Sequence, residues 1–222
     1  MVRFAGNLDA VTTDASAPLP YHHGNLRAVA VAAAVEEVET VGVAGVSMRR
    51  IARRAGVSHA ALAYQFGDKT GIFTAVAADG FRLAAEMIGS AATGAAGFLL
   101  GGMKYVEFGI THPGHFEVMF RPNLYRGDDP DLASARDAAF DLLYGSARAS
   151  LAAGSEQVTD EEVVGLVVAG WSLTHGLATL ALTANLRDRV GDDLASFAPT
   201  LINGVVTLGN LIRREGKNLV TT

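Results

Sequence analysis

The chain contains no cysteine among its 222 residues, which excludes disulfides, thiol nucleophiles and cysteine-ligated zinc. Aromatic residues make up 7% of it, with a single tryptophan, so a core has to be built chiefly from smaller aliphatic side chains. Positive charge is in the minority: 18 Lys and Arg stand against 23 Asp and Glu, for a net charge of −5. A surface that binds polyanions all over is therefore excluded. No uninterrupted apolar run reaches the roughly 18 residues expected of a membrane span. The first twenty residues, MVRFAGNLDAVTTDASAPLP, hold one Arg and no compact apolar stretch, so they do not read as a secretory signal. They read as a disordered N-terminal arm ended by Pro18 and Pro20. With cysteine absent, these features fit a cytoplasmic protein without a membrane partner.

What is present points to helices. Half of the residues are hydrophobic, and the predominance of Ala, Val, Leu and Gly suits closely packed helices better than a large sheet. No alternating apolar–polar run bounded by turns occurs, so the expected fold is all-α, with about nine helices. Helix 1 is expected at about 25–41, broken by Gly42 and Gly45 before two short helices within 47–67. Longer segments follow at about 69–92, 95–111, 131–153, 159–187 and 193–214, with a short helical turn at His115–Phe120. His112-Pro113-Gly114 and RPNLYRGDDP (121–130) read as turn and loop.

Charge is concentrated in one place. Residues 47–69, SMRRIARRAGVSHAALAYQFGDK, carry Arg49, Arg50, Arg53, Arg54 and Lys69 against Asp68 alone. Ser47 is a natural N-cap, and Met48, Ile51, Ala52 and Ala55 then fall on one buried face. Gly56 can take the left-handed conformation that ends a helix. Ser58 can cap a second helix whose Leu62 and Phe66 point inward, which leaves His59, Ala60, Ala61, Tyr64 and Gln65 outside. Helix, glycine-containing turn and helix is the helix-turn-helix pattern, in which the second helix enters the DNA major groove. A solvated helical hairpin carrying four arginines is the plainer alternative.

The segment S-M-R-R-I-A-R-R-A-G-V-S, followed by L, Y, F and D-K, resembles the DNA-binding domain of TetR/AcrR-type transcriptional regulators. Y-H-H-G-N-L-R at 21–27 resembles the start of the first helix in one branch of that family. W-S-L-T-H-G at 171–176 resembles the Trp-His-Gly signature of that branch's C-terminal domain. The resemblance divides the chain into the arm (1–20), a helix-turn-helix DNA-binding domain (21–67) and a helical effector-binding and dimerisation domain (68–222). It departs from the family at two positions. Ala63 stands where an aromatic residue often touches a phosphate, and Tyr64 lies about 100° further round the helix. Gly67 stands where proline is common.

The expected function is sequence-specific regulation of transcription by a repressor. Ser47, Arg49 and Lys69 are candidates for holding the DNA backbone, and His59, Ala60, Ala61, Tyr64 and Gln65 for base edges; Arg50 and Ser58 complete the expected DNA-binding set. Arg53 and Arg54 are weaker candidates because Glu36, Glu37 and Glu39 could engage them. The segments 159–187 and 193–214 are apolar on nearly all sides, so each must be covered on more than one side. They form either an ordinary buried pair or half of a four-helix interface with a second copy. The resemblance favours a homodimer on a near-palindromic double-stranded operator.

A small, largely apolar effector is expected among Tyr105, Phe108, His112, Phe116, Met119, Phe120, Trp171 and His175, although an aromatic stripe at helical spacing is also what a plain core looks like. The resemblance further implies that effector binding changes the separation of the two DNA-reading tips through the fourth helix, releasing the operator. A helical interaction protein without specific DNA binding is the competing reading. His112, His115 and Glu117 could in principle hold a metal, but Pro113-Gly114 makes a turn between the histidines and no further ligand is identifiable. No nucleophile elbow, phosphate loop or dinucleotide fingerprint occurs, so neither enzymatic activity nor a cofactor is expected.

Overall fold

The computed structural model describes residues 26–155, 157–183 and 203–214. Among them every regular element is a helix. These are α1 (Leu26–Gly45), α2 (Met48–Arg54), α3 (His59–Phe66), α4 (Lys69–Gly89), α5 (Gly97–Thr111), α6 (Pro113–Met119), α7 (Pro130–Ala152) and α8 (Asp160–Leu182). A 3-10 turn, Pro122–Leu124, joins α6 to α7, and residues 203–214 are helical. The expected arm, residues 21–25, and the parts of the expected dimer segments at 184–187 and 193–202 lie outside the described residues.

Local chemistry accounts for most of the boundaries. Side chains at three successive N-caps accept from the unpaired first-turn amides: Ser47 from Arg50, Ser58 from Ala61 and Asp68 from Gly71. Thr159 and Glu162 form a reciprocal capping box at the start of α8. Pro113 and Pro130 open α6 and α7 at first-turn positions, where a missing N–H costs nothing. Gly42, at φ 68°, kinks α1 without ending it, and this is why α1 outlasts the expected limit near residue 41. Beyond the kink, Val43 is buried.

α4 is the spine of the molecule, packed against α1, α5, α6 and α7. The core runs unbroken along it. Ile51, Leu62 and Phe66 of the N-terminal head join Ile72, Phe73 and Val76 of α4, which join Phe108, Phe116 and Met119 of the body. Fully burying a side chain such as Ile51, Leu62 or Phe73 stabilises by about 1.5–3 kcal/mol, so head and body share a good part of their stability. Gly80 and Gly114 permit close approaches in this part of the core. A Cβ on Gly80 would stand 2.5 Å from Met119 Sδ, and one on Gly114 would stand 2.9 Å from the Val35 carbonyl oxygen of α1. A second, smaller cluster of Ala147, Val163 and Val167 fixes α7 to α8.

α8 is buried on one side only. Val163, Val167, Ala178 and Ala181 face α5 and α7, whereas Val164, Val168 and Leu180 are about half exposed. The helix is 23 residues long and contains an 18-residue window of mean hydropathy 1.6, which satisfies the simple test for a helix able to cross a membrane. Ser172, Thr174 and His175 interrupt the apolar run that the sequence presents.

Candidate nucleic-acid interface and effector cavity

The head presents α3 as its outer helix. Leu62 is fully buried and Phe66 nearly so, and this fixes the opposite side towards solvent. His59, Ala60, Tyr64 and Gln65 are exposed there, with Ala61 at the margin. Tyr64 is 93% exposed, an unusual position for a large aromatic ring that has no partner to cover it. Ala63 is half-buried.

The basic residues of α2 divide between two faces. Arg49 and Arg53 are exposed and take part in no ion pair among the described residues. Arg50 and Arg54, one turn apart on the other face, both reach the Glu37 carboxylate of α1. Arg50 Nε donates to one oxygen, and Arg54 Nε donates to the other at 2.7 Å. Arg54 also holds Glu36 at 3.0 Å. Glu37 is almost fully buried, and the Arg50 hydrogen bond, followed by that of Arg54, holds its carboxyl below the usual carboxylate range. Arg50, expected among the DNA-binding residues, is thus engaged in fastening α2 to α1. Lys69 donates to the Val46 carbonyl at 3.3 Å and lies over the Phe73 ring, so its ammonium sits at the base of the head beside the start of α4.

The body contains a cavity of about 630 Å³ between α4, α5, α7, α8 and residues 203–214, within the size range typical of small-molecule sites. Among the described residues, no Asp, Glu, Lys, Arg or His lines it. Of the eight expected effector residues, Tyr105, Met119, Phe120 and Trp171 lie on its wall. Phe108, His112, Phe116 and His175 do not. Phe108 is fully buried and stacked on His112, and Phe116 is stacked on His175.

His175 acts from behind the wall. The Tyr105 hydroxyl accepts from Trp171 Nε1 at 3.2 Å and lies 2.8 Å from His175 Nδ1. Donating to that nitrogen requires a neutral imidazole protonated at Nε2. Burial lowers the His175 pKa and raises that of Tyr105, which favours the neutral form of each. The wall also includes Phe81, Phe98, Phe140, Leu143 and Leu166, which are not among the expected effector residues. Only their convergence from separate helices gives them a common role.

His112, His115 and Glu117, the candidate metal ligands, each make a side-chain contact of their own. His115 Nε2 meets Asp79 at 3.1 Å, Glu117 pairs with Arg121 at 3.0 Å, and His112 lies 2.9 Å from the Thr111 hydroxyl. The His115 bond is the leading cause of a lowered Asp79 pKa. Among the described residues no group of three or more His, Asp or Glu is placed to hold a metal ion.

Comparison with known proteins gives concordant matches over both parts. Residues 30–76 match the family described as bacterial regulatory proteins, tetR family. Residues 98–204 match the tetracyclin repressor-like C-terminal domain. No curated protein matches. Among solved structures, a protein with unknown function from Rhodococcus sp. RHA1 is 30% identical, with a TM-score of 0.67 over 84% of this chain and 98% of that one. A possible TetR family transcriptional regulator from Streptomyces coelicolor A3(2) shares the fold at 20% identity and a TM-score of 0.55, over 87% of this chain and 99% of that one.

Proposed function

Because this chain belongs to the TetR family of bacterial transcriptional regulators, we propose that it is a homodimeric repressor whose operator binding is released by a small, uncharged, largely apolar effector. The observation that carries the reading is the pairing of an outward-facing α3, backed by Leu62 and Phe66, with a 630 Å³ cavity that no charged side chain among the described residues lines. In this reading α3 lies in the major groove. Ala60 and Ala61 offer apolar contact to thymine methyl groups, and Gln65 pairs with adenine. His59 and Tyr64 flank that contact. Ser47, Ser58, Arg49 and Lys69 face the phosphates, and Arg50 contributes by holding α2 in place.

The acidic body is repelled from DNA while the basic tip is drawn to it, which orients the approach. An effector has to prefer one separation of the two tips for its binding to release DNA, since a ligand shifts an equilibrium only by its differential affinity for the two states. α4, which reaches from the head to the cavity wall, is the element to carry that preference.

The test is fluorescence anisotropy of the protein on DNA from directly upstream of its own gene, with an unrelated fragment of equal length and a salt titration. Tight, salt-sensitive binding to the upstream DNA alone is the expected result. Equal weak binding to both fragments would reduce α3 to a non-specific basic tip. An absence of binding at low salt would favour a helical interaction protein instead.

A further inference from the structure

The loop between α6 and α7, residues 120–129, is fastened at both ends to elements of different function. At one end Phe120 and Met119 line the cavity, and the Phe120 ring packs within 5.1 Å of Phe116 and 4.6 Å of His175 between centroids. At the other end Arg126 lies over the turn that closes α3. Its Nη2 donates to Asp68 Oδ1 at 2.9 Å, and the same oxygen accepts the Gly71 amide at 2.8 Å as the N-cap of α4. A Cβ on Gly71 would stand 1.9 Å from the Phe66 carbonyl oxygen and 2.8 Å from Arg126 Nη1, so the glycine serves the α3–α4 turn first and leaves room for the guanidinium beside it.

Two further bonds hold the intervening chain. The Arg126 amide donates to the buried Thr74 hydroxyl at 3.0 Å, and the Tyr125 hydroxyl donates to the Met119 carbonyl at 2.9 Å. The cationic guanidinium therefore sits against the α3–α4 turn, paired with the carboxylate that caps α4.

We propose that residues 120–126 are a strap that ties the cavity wall directly to the end of the DNA-reading helix, with Arg126 as its positioning residue. The inference rests on the proposed function, since it names how that cavity is connected to α3. Two observations favour positioning over simple stabilisation. Arg126 and Asp68 are each about half exposed, and such surface pairs contribute little to stability. The pair also joins the body directly to the turn between α3 and α4. A displacement of Phe120 moves a strap whose far end is fixed on that turn, so the tilt of α3 follows the state of the cavity.

The test is a double-mutant cycle read by amide hydrogen exchange on the full-length protein, without DNA or effector. Phe120→Leu alters the cavity wall. Arg126→Ala removes the clamp, and Asp68→Asn removes the ion pair while keeping a competent N-cap. Phe120→Leu is expected to change exchange at residues 63–67 by about fivefold or more, the lower range of ordinary coupling between sites. The same substitution is expected to leave those amides unchanged in the Arg126→Ala and Asp68→Asn backgrounds, with the melting temperature of both clamp variants near that of the parent.

Equal effects of Phe120→Leu in all backgrounds, or none in the parent, would overturn the strap. So would a large drop in melting temperature on loss of Arg126, which would make the pair a plain structural contact. Because the readout uses no DNA, failure of the strap is distinguishable from failure of the repressor reading, which the anisotropy experiment decides separately.

Discussion

Gln65 and Arg49 are both exposed on the head, yet they carry different kinds of information. A side-chain amide on α3 can exchange two hydrogen bonds with one base and none of equal quality with the others, whereas a guanidinium on α2 meets any phosphate. Gln65→Ala should therefore relax preference at one base pair in each half-site, at a cost of about 1–3 kcal/mol for the preferred operator. Arg49→Ala should weaken all sequences alike and reduce the slope of log K against log salt by about 1. Anisotropy on an operator and on a set of single-base variants separates the two. Uniform loss for both substitutions would mean that α3 touches backbone only.

At this scale the sequence was informative where a residue acts on its own neighbours. The Ser47 and Ser58 caps and the inward Leu62 and Phe66 follow from spacing alone. It was less informative about the arginines, because helical spacing groups 49 with 53 and 50 with 54 without saying which pair meets α1. The buried Glu37 decides that, and only the packing of α1 on α2 reveals it.

That packing is also where elements join. Glu37 lies within α1 and grips two arginines of α2, so one carboxylate holds the recognition unit to the rest of the head. Its folded pKa is depressed below the unfolded value near 4.5. The stability it contributes is therefore present above that value and is lost as pH falls through the lower, folded pKa. Glu37→Gln keeps the shape but removes the charge, and should cost roughly 2 kcal/mol near neutral pH, as expected for hydrogen bonds to a charged group. Thermal melts of the two proteins across pH should converge in acid, once Glu37 of the parent is itself protonated. Parallel curves over the whole range would show that the ion pair is not what the carboxylate contributes.

Helix positions were legible at the level of whole elements because each carries its own caps and apolar face. The cavity was only half legible: Tyr105, Met119, Phe120 and Trp171 stood out as aromatic or Met positions, while Phe98 and Phe140 looked like any core residues. Which helices converge on a space depends on tertiary packing, to which local periodicity is blind. The strap shows the same limit, since RPNLYRGDDP reads as a loop and nothing in it tells that Arg126 reaches Asp68.

For the molecule as a whole, the unresolved demand is the apolar surface left on the outside. Val164, Val168 and Leu180 of α8 are 46%, 52% and 49% exposed, and Val206, Leu208 and Ile212 are 57%, 52% and 59% exposed. Patches of this kind mark interaction surfaces on soluble proteins, and TetR-family regulators dimerise. A second copy related by a two-fold axis would cover α8 and the 203–214 helix together, because an isologous interface uses the same patch on both partners. Val205, Val206, Leu208, Gly209 and Ile212 also supply one wall of the cavity, so the same contact would close the effector site from outside. Val168→Asp places a charge in the middle of that patch and should convert the protein to a monomer in sedimentation at micromolar concentration. Because two linked heads bind a palindrome with an avidity of about 10²–10⁴ over one, the variant should lose affinity for a two-half-site operator by a similar factor while its affinity for a single half-site is kept. Equal loss on both DNAs would place the damage in the fold, and a parent protein that sediments as a monomer would leave the exposed face to some other partner.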